Sequence, residues 1–356
     1  MLGIRKYVTG WSEALLPVLA VVLALIVGAG MLLALHTNPL EAYGALLAGA
    51  VGSVYGLTQT LVKATPLLLV GLGIAIAFRG GVINIGGEGQ LIVGALAATA
   101  VSLSLPNWPG GLLLPLALLA GVIAGGVWGG VPGVLKARLG VNEILSTIMM
   151  NQIAIQLANF LLRGPLIDPA EIAAGTHIAQ SALLPQQVWL PRLVPQTLLH
   201  AGAILAVVLA LLVYVFLWRT TIGYRIRAAG LNPAAARYAG IRVPVYQALA
   251  LILGGAFAGL AGAVEVTGVT HRMLEGLSGG YGFSGIVAAL FGKLHPLGVI
   301  PASILFGGLL VGADKMQRAV QVPSALIDAL QGLIVLFVVG SDLWVRYLAR
   351  RRQIHG

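Results

Sequence analysis

The chain is a succession of long apolar runs separated by short polar breaks, and the runs have membrane length. A helix needs about 20 apolar residues to cross a hydrocarbon core ~30 Å thick. On that measure the pattern predicts spans at Leu15–Leu35, Leu57–Phe78, Leu91–Leu105, Leu112–Leu135 and Glu143–Leu162. Further spans are predicted at Leu199–Trp218, Val245–Thr267, Tyr281–Phe291, Val299–Gly312 and Ala325–Val345. The fold class is therefore all-α, a polytopic membrane helix bundle of about ten transmembrane helices within a single domain over 1–356. Glu41–Ser53 reads as a short helix that lies outside the membrane plane or re-enters it. Tyr281–Phe291 is too short to cross alone, so Tyr281–Gly312 reads as a broken or re-entrant element.

Composition strengthens this picture. Apolar residues make up 58% of the chain and charged residues 9%, against about a quarter charged in soluble domains. The 49 glycines suit close approach of membrane helices. With no cysteine in the chain, disulfides, thiolate metal sites and cysteine nucleophiles are excluded. The first apolar run is followed by no clear cleavage pattern, so it reads as a span rather than a signal peptide.

The net charge of +10 changes the picture only through its placement. The basic residues flank apolar spans instead of clustering on a solvated face, which argues against nucleic acid as a partner. With both termini cytoplasmic, 15 of the 21 lysines and arginines fall on the inner side, among them Arg5, Lys6, Arg79, Lys136, Arg219, Arg227, Lys293 and Arg346. Six fall on the other: Lys63, Arg163, Arg192, Arg272, Lys315 and Arg318. An even span count with N-in, C-in orientation agrees with this bias. Trp11, Trp108, Trp189, Trp218 and Trp344 lie near span ends, where amphipathic rings sit at the lipid interface.

Two loops are long. The outer one, 163–198, is proline-rich and reads as an irregular surface that could meet a partner. The inner one, 219–244, is basic. The second to fifth spans and the seventh to tenth would run in opposite orientations, the arrangement of an inverted repeat with broken helices.

Within the inner loop, Asn232 is a favoured N-cap, Pro233 suits the first helical position, and Gly240 ends a helix. The spacing predicts a two-turn helix over Pro233–Ala239. So short a helix needs tertiary contacts to persist, and its alanine face suits either docking into a partner's groove or an ordinary membrane-surface loop.

Between the second and third spans stands Phe78-Arg79-Gly80-Gly81-Val82-Ile83-Asn84-Ile85-Gly86-Gly87-Glu88-Gly89-Gln90. Charged and amide groups at a membrane boundary are costly unless paired, and glycines at this density break helices. The stretch predicts a discontinuous backbone whose polar groups line a pathway or brace a turn. It is no Walker A loop, since no Lys-Ser or Lys-Thr follows.

Asn84-Ile85-Gly86 with Glu88-Gly89-Gln90, then Gly94-Ala95, resembles the signature of nucleoside and simple-sugar ABC importer permeases. Gly230-Leu231-Asn232 through Gly240-Ile241 resembles their coupling-helix region, and Phe78-Arg79-Gly80 resembles the longer permease of paired nucleoside systems. The resemblance runs from the second span to the last. It implies a permease subunit in a bacterial cell membrane with a second, paralogous permease, ABC ATPase subunits and an extracytoplasmic substrate-binding protein as partners. It also implies that this chain binds no cofactor and performs no chemistry, ATP being used by the partner subunits. The coupling residues it implies are Gly230, Leu231, Asn232, Pro233, Ala234, Ala235, Ala236, Arg237, Tyr238 and Gly240.

For the substrate pathway, the candidates are Asn84, Glu88, Gln90, Asn142, Glu143, Asn151 and Gln152, since amides suit a neutral, hydrogen-bonding solute. Asn142 and Asn151 are rotated by about 900° along a straight helix, half a turn net, so only some of these side chains can share a face. For any single one of them, an interhelical hydrogen bond that holds the bundle is the stronger reading. Lys63 and Glu265 are charged within or near spans and must be paired or face the pathway. The histidines, at 36, 177, 200, 271, 295 and 356, show no ligand spacing, and no metal site is expected. Rival readings are a ribose or simple-sugar ABC permease and an ion-coupled secondary carrier using Lys63, Glu88 or Glu265.

Overall fold

The computed structural model describes residues 22–323 and, beyond them, residues 329, 332–333, 336–337 and 340. The predicted last span, Ala325–Val345, is mostly outside the described residues, as are Arg5, Lys6, Trp11, Trp344 and Arg346.

Helices follow in the order α1 (Val22–Ala34), α2 (Pro39–Ala50), α3 (Val54–Arg79), α4 (Gly87–Ser104), α5 (Gly110–Leu139), α6 (Glu143–Leu162) and α7 (Pro169–Ala174). They continue with α8 (Gly202–Arg219), α9 (Thr221–Leu231), α10 (Pro233–Tyr238), α11 (Val243–Glu265), α12 (Tyr281–Phe291) and α13 (Pro296–Val320). Among the described residues α3, α5, α6, α8, α13 and the run Val243–Thr270 are long and apolar enough to cross a membrane, and α1 and α12 are shorter apolar helices. The predicted multi-helix membrane bundle is found. Most predicted spans match a helix to within a few residues. Val299–Gly312 differs more, because Pro296–Val320 continues through Pro301 and past the polar Asp314 and Lys315. Backbone hydrogen bonding is kept up along a helix even where hydropathy falls.

The chain forms two compact units, Met1–Thr60 with Gly308–Gly356, and Leu61–Gly307. In the first, Leu32, Ala42, Leu46, Ala313, Met316 and Val322 form a core. Asn38 caps α2 by accepting from the Leu40 N–H, with Pro39 at the first helical position.

The second unit is built on a glycine seam. Gly121, Gly125, Gly129 and Gly133 recur every four residues on α5 and meet Ala248, Leu251, Gly255, Gly259 and Ala263 of α11. A Cβ on Gly125 or Gly259 would strike the facing backbone. The seam therefore depends on small residues that let helices approach where lipid provides no hydrophobic driving force. Gly94 of α4 closes on Gly259 from another side.

Charged residues gather at two ends of this unit. At one end Arg79 donates to the carbonyls of Leu294 (3.1 Å) and Lys293 (3.3 Å). Arg79 and Arg227 both lie over the Trp218 ring. Residues predicted on the inner side are thus found together. At the other end the long loop after α6 is strapped onto the segment after α11. Ser181, Leu184 and Leu190 donate backbone N–H groups to the carbonyls of Met273, His271 and Thr267. The Trp189 ring stacks on His271 at 3.9 Å and 9°, and Arg163 pairs with Glu275 at 3.1 Å.

Candidate functional site: a broken backbone tied to a surface helix

After α3 ends, residues 80–86 run without helix, and α4 starts at Gly87. This is the discontinuous backbone the glycines predict, and its polar groups are spoken for. Asn84 is fully buried; its Nδ2 donates to Gln90 Oε1 at 3.0 Å, and its Oδ1 accepts from Gln90 Nε2 at 3.1 Å and from the Gly86 N–H at 2.9 Å. Asn151 of α6 accepts from the Gly89 N–H (2.8 Å) and donates to the Ile85 carbonyl (2.9 Å). A Cβ on Gly89 would sit 2.9 Å from the Asn151 Cα, so only glycine allows that approach.

Glu88 reaches across to the other broken element. Its carboxylate accepts from the N–H of Gly280 at 3.1 Å and of Gly282 at 2.7 Å, at the start of α12. The first turn of a helix carries unsatisfied N–H groups and a positive dipole end. Glu88 is therefore a helix cap supplied from another part of the chain.

The structure brings Asn84, Glu88, Gln90 and Asn151 together and separates them from the other candidates. Asn142 caps α6 through the Ile144 N–H, and Glu143 pairs with Lys136 at 2.6 Å. Gln152 faces outward, about 100° round the helix from the buried Asn151. The buried face of α6 is Thr147, Asn151, Ala154, Ala158 and Leu162. Roughly a third of a turn round from it, Gln152, Gln156, Asn159 and Arg163 form a polar stripe at helical spacing. Gln156, Asn159 and Arg163 line a surface hollow of about 460 Å³. The sequence reading stopped at Gln152; the spacing of 4, 3 and 4 residues was the signal for the rest.

At the end where Arg79 and Arg227 gather, Thr220 caps α9 through the Gly223 N–H, and Asn232 caps α10 through the Ala235 N–H at 3.0 Å. Pro233 takes the first helical position and Gly240 follows with φ +77°. The predicted two-turn helix is present. Ala236 packs with Ala229, Ile241 and Val243, which supplies the tertiary contacts so short a helix needs. Leu231, Asn232, Pro233, Ala234, Ala235, Arg237 and Tyr238 stay exposed, Tyr238 at 96%. Gly230, at the end of α9, lies against the backbone of Arg79 to Gly81, where any Cβ would collide with the Arg79 carbonyl. The surface helix is thereby fastened to the start of the broken segment.

The described residues thus form a membrane helix bundle with a discontinuous polar segment and a short helix exposed at one end. Residues 56–339 match the family model described as branched-chain amino acid transport system / permease component, and the chain belongs to this family of multi-pass membrane permeases. It is 38% identical over 331 residues to the guanosine ABC transporter permease protein of Bacillus subtilis, covering 93% of this chain and 94% of that one. It is 37% identical over 351 residues to the glucose ABC transporter permease protein of Haloferax volcanii (96% and 91%). With the nucleoside ABC transporter permease protein of Lactococcus lactis it shares 31% over 332 residues (92% and 90%).

Proposed function

We propose that this chain is the permease subunit of an ABC importer for nucleosides, seated in the bacterial cytoplasmic membrane with both termini inside. Asn232–Gly240 is the coupling helix that rests on an ABC ATPase, and the partner ATPases hydrolyse the ATP. A second, paralogous permease completes the pathway, and an extracytoplasmic binding protein delivers the solute.

The observation that carries this reading is the Gly230–Gly81 contact. A displacement of α10 moves α9, and through Gly230 it bears on the backbone that leads into Asn84–Gln90. From there Glu88 passes it to the start of α12. Motion of an ATPase at the inner surface thus has a continuous path to both broken elements. Asn84, Gln90 and Asn151 hold the pathway wall in shape. Gln152, with Gln156 and Asn159, supplies amides on an α6 face that the other described residues leave largely uncovered, while Asn142 and Glu143 fix the inner end of the same helix. A simple-sugar solute is the second reading, favoured by the likeness to a glucose permease.

The test is purification from the native membrane followed by reconstituted uptake. An ATPase and a second permease should accompany the chain, and nucleoside uptake should require ATP. Ala235→Glu, on the exposed face of α10, should abolish uptake or ATPase assembly while leaving the fold intact. Uptake by this chain alone without ATP overturns the proposal.

A further inference from the structure

Where α3 and α8 end, two arginines share one aromatic ring. The guanidinium carbons of Arg79 and Arg227 lie 5.4 Å and 5.3 Å from the centre of the Trp218 ring. Their backbones are adjacent as well, since Gly230 sits against the Arg79 carbonyl and Ile226 lies beside Gly80. Both side chains are half-buried. Arg79 is anchored by the carbonyls of Leu294 and Lys293, successive residues with φ +53° and +54°. Such strained backbone persists where its surroundings hold it, and it clusters at functional sites. Arg227 is anchored by the Leu217 carbonyl at 2.9 Å.

These contacts leave the positive charge unanswered. The ion pairs among the described residues are Lys136–Glu143 and Arg163–Glu275, so neither guanidinium meets a carboxylate there. The face of an indole attracts a cation, but two like charges beside one ring repel each other where partial burial weakens screening. Each guanidinium also keeps N–H groups, set in a planar fork, that meet no acceptor among the described residues.

The ligand such a pair suits is an anion with several acceptor oxygens, and the planar fork matches the geometry of phosphate. Place in the fold decides the source of that phosphate. Trp218 is the next-to-last residue of α8 and Arg79 the last of α3, both helices long and apolar enough to cross a membrane. An indole at a span end sits at headgroup level, the level of phospholipid phosphates. Tyr214, one turn deeper on α8, stacks on Trp218 at 5.5 Å and extends the aromatic wall towards the lipid chains. Basic pockets between membrane helices bind anionic headgroups in this way.

We infer that Arg79 and Arg227, set round Trp218, hold the phosphate of an anionic phospholipid at the membrane boundary. The bound phosphate offsets the repulsion between the two arginines. It thereby secures α9 against the start of the broken segment, where Gly230 meets Gly81. The site is independent of which solute the chain carries.

The experiment takes the full chain, with any subunits that stay with it, in detergent containing equal amounts of phosphatidylcholine and phosphatidylglycerol. Native mass spectrometry then counts the lipids retained. The wild type should keep phosphatidylglycerol in preference to phosphatidylcholine. Arg227→Gln should lower that preference on the order of tenfold, the loss expected for a hydrogen bond to a charged group. Arg219→Gln removes the same charge from an exposed position nearby and should leave the preference in place. Inorganic phosphate offers the same oxygens without acyl chains and should not displace the lipid. A loss no greater in Arg227→Gln than in Arg219→Gln means that net charge alone attracts the lipid, and displacement by phosphate means that a soluble anion is the ligand. Either result overturns the inference. Should Arg227→Gln fail to fold, Arg79→Gln gives the same comparison, and a wild type without preference overturns the inference before any variant is made.

Discussion

The carboxylate of Glu88 accepts the backbone N–H of Gly282 at 2.7 Å, so a residue in the first turn of α4 caps a helix that begins 193 positions later in the chain. A Cβ on Gly282 would collide with the Glu88 backbone, so the carboxylate and the glycine are needed together. Removing the acceptor leaves helix N–H groups without a partner in a buried place. Glu88→Ala should destabilise the protein by roughly 1.5–3 kcal/mol and Glu88→Gln, which keeps one neutral acceptor, by less. Thermal melting of the purified variants in detergent measures this order, and equal melting of all three forms contradicts it.

Gly230 provides the second prediction. Its Cα lies against the backbone of Arg79 and Gly81, and Gly81 itself has φ +73°. Gly230→Val should force α9 away from the broken segment. Uptake should then fall on the order of tenfold, the effect of ~1.4 kcal/mol, while the ATPase still co-purifies because α10 is untouched. Retention of both uptake and assembly means the contact transmits nothing.

The Asn84–Gln90 amide pair is closed on itself by two hydrogen bonds. Losing either partner orphans the other in a buried site, so the second loss costs less than the first. A double-mutant cycle with Asn84→Ala and Gln90→Ala should therefore show a coupling of about 0.5–3 kcal/mol. Additive melting shifts would show that the two amides act independently.

Acid should loosen the end at which the 163–198 loop is strapped down. Burial, and then the neighbouring His271, lower the His200 pKa to about 4 from its ordinary 6.5. Below 6.5 the unfolded chain binds a proton that the folded chain refuses until near 4, so His200 contributes stability that is complete above 6.5 and is lost as pH falls towards 4. Burial lowers His271 in the same direction, with Arg192 adding to it. The melting temperature should drop between pH 7.5 and pH 5, and His200→Asn should show a smaller drop. An identical pH slope in the variant excludes His200 as its source.

The membrane bundle, the two-turn surface helix and the broken segment were all legible in the sequence, since each depends on neighbours in the chain. Apolar run length fixes where helices can cross, and Asn232, Pro233 and Gly240 act on backbone a few residues away. The helical period also decides that Asn151 and Gln152 cannot face the same side. What the tertiary structure decided is which of these local pieces touch. The sequence shows Glu88 as a costly charge but not that its partners are Gly280 and Gly282, and it shows Gly230 as a glycine but not that Gly81 lies against it. Such pairings depend on how close two backbones can come, and that is set here by Gly282 against Glu88 and by Gly230 against Arg79 and Gly81, contacts that no segment makes alone. The pattern along the chain determined the elements and their caps; only packing decided which of the buried charges and amides would find each other.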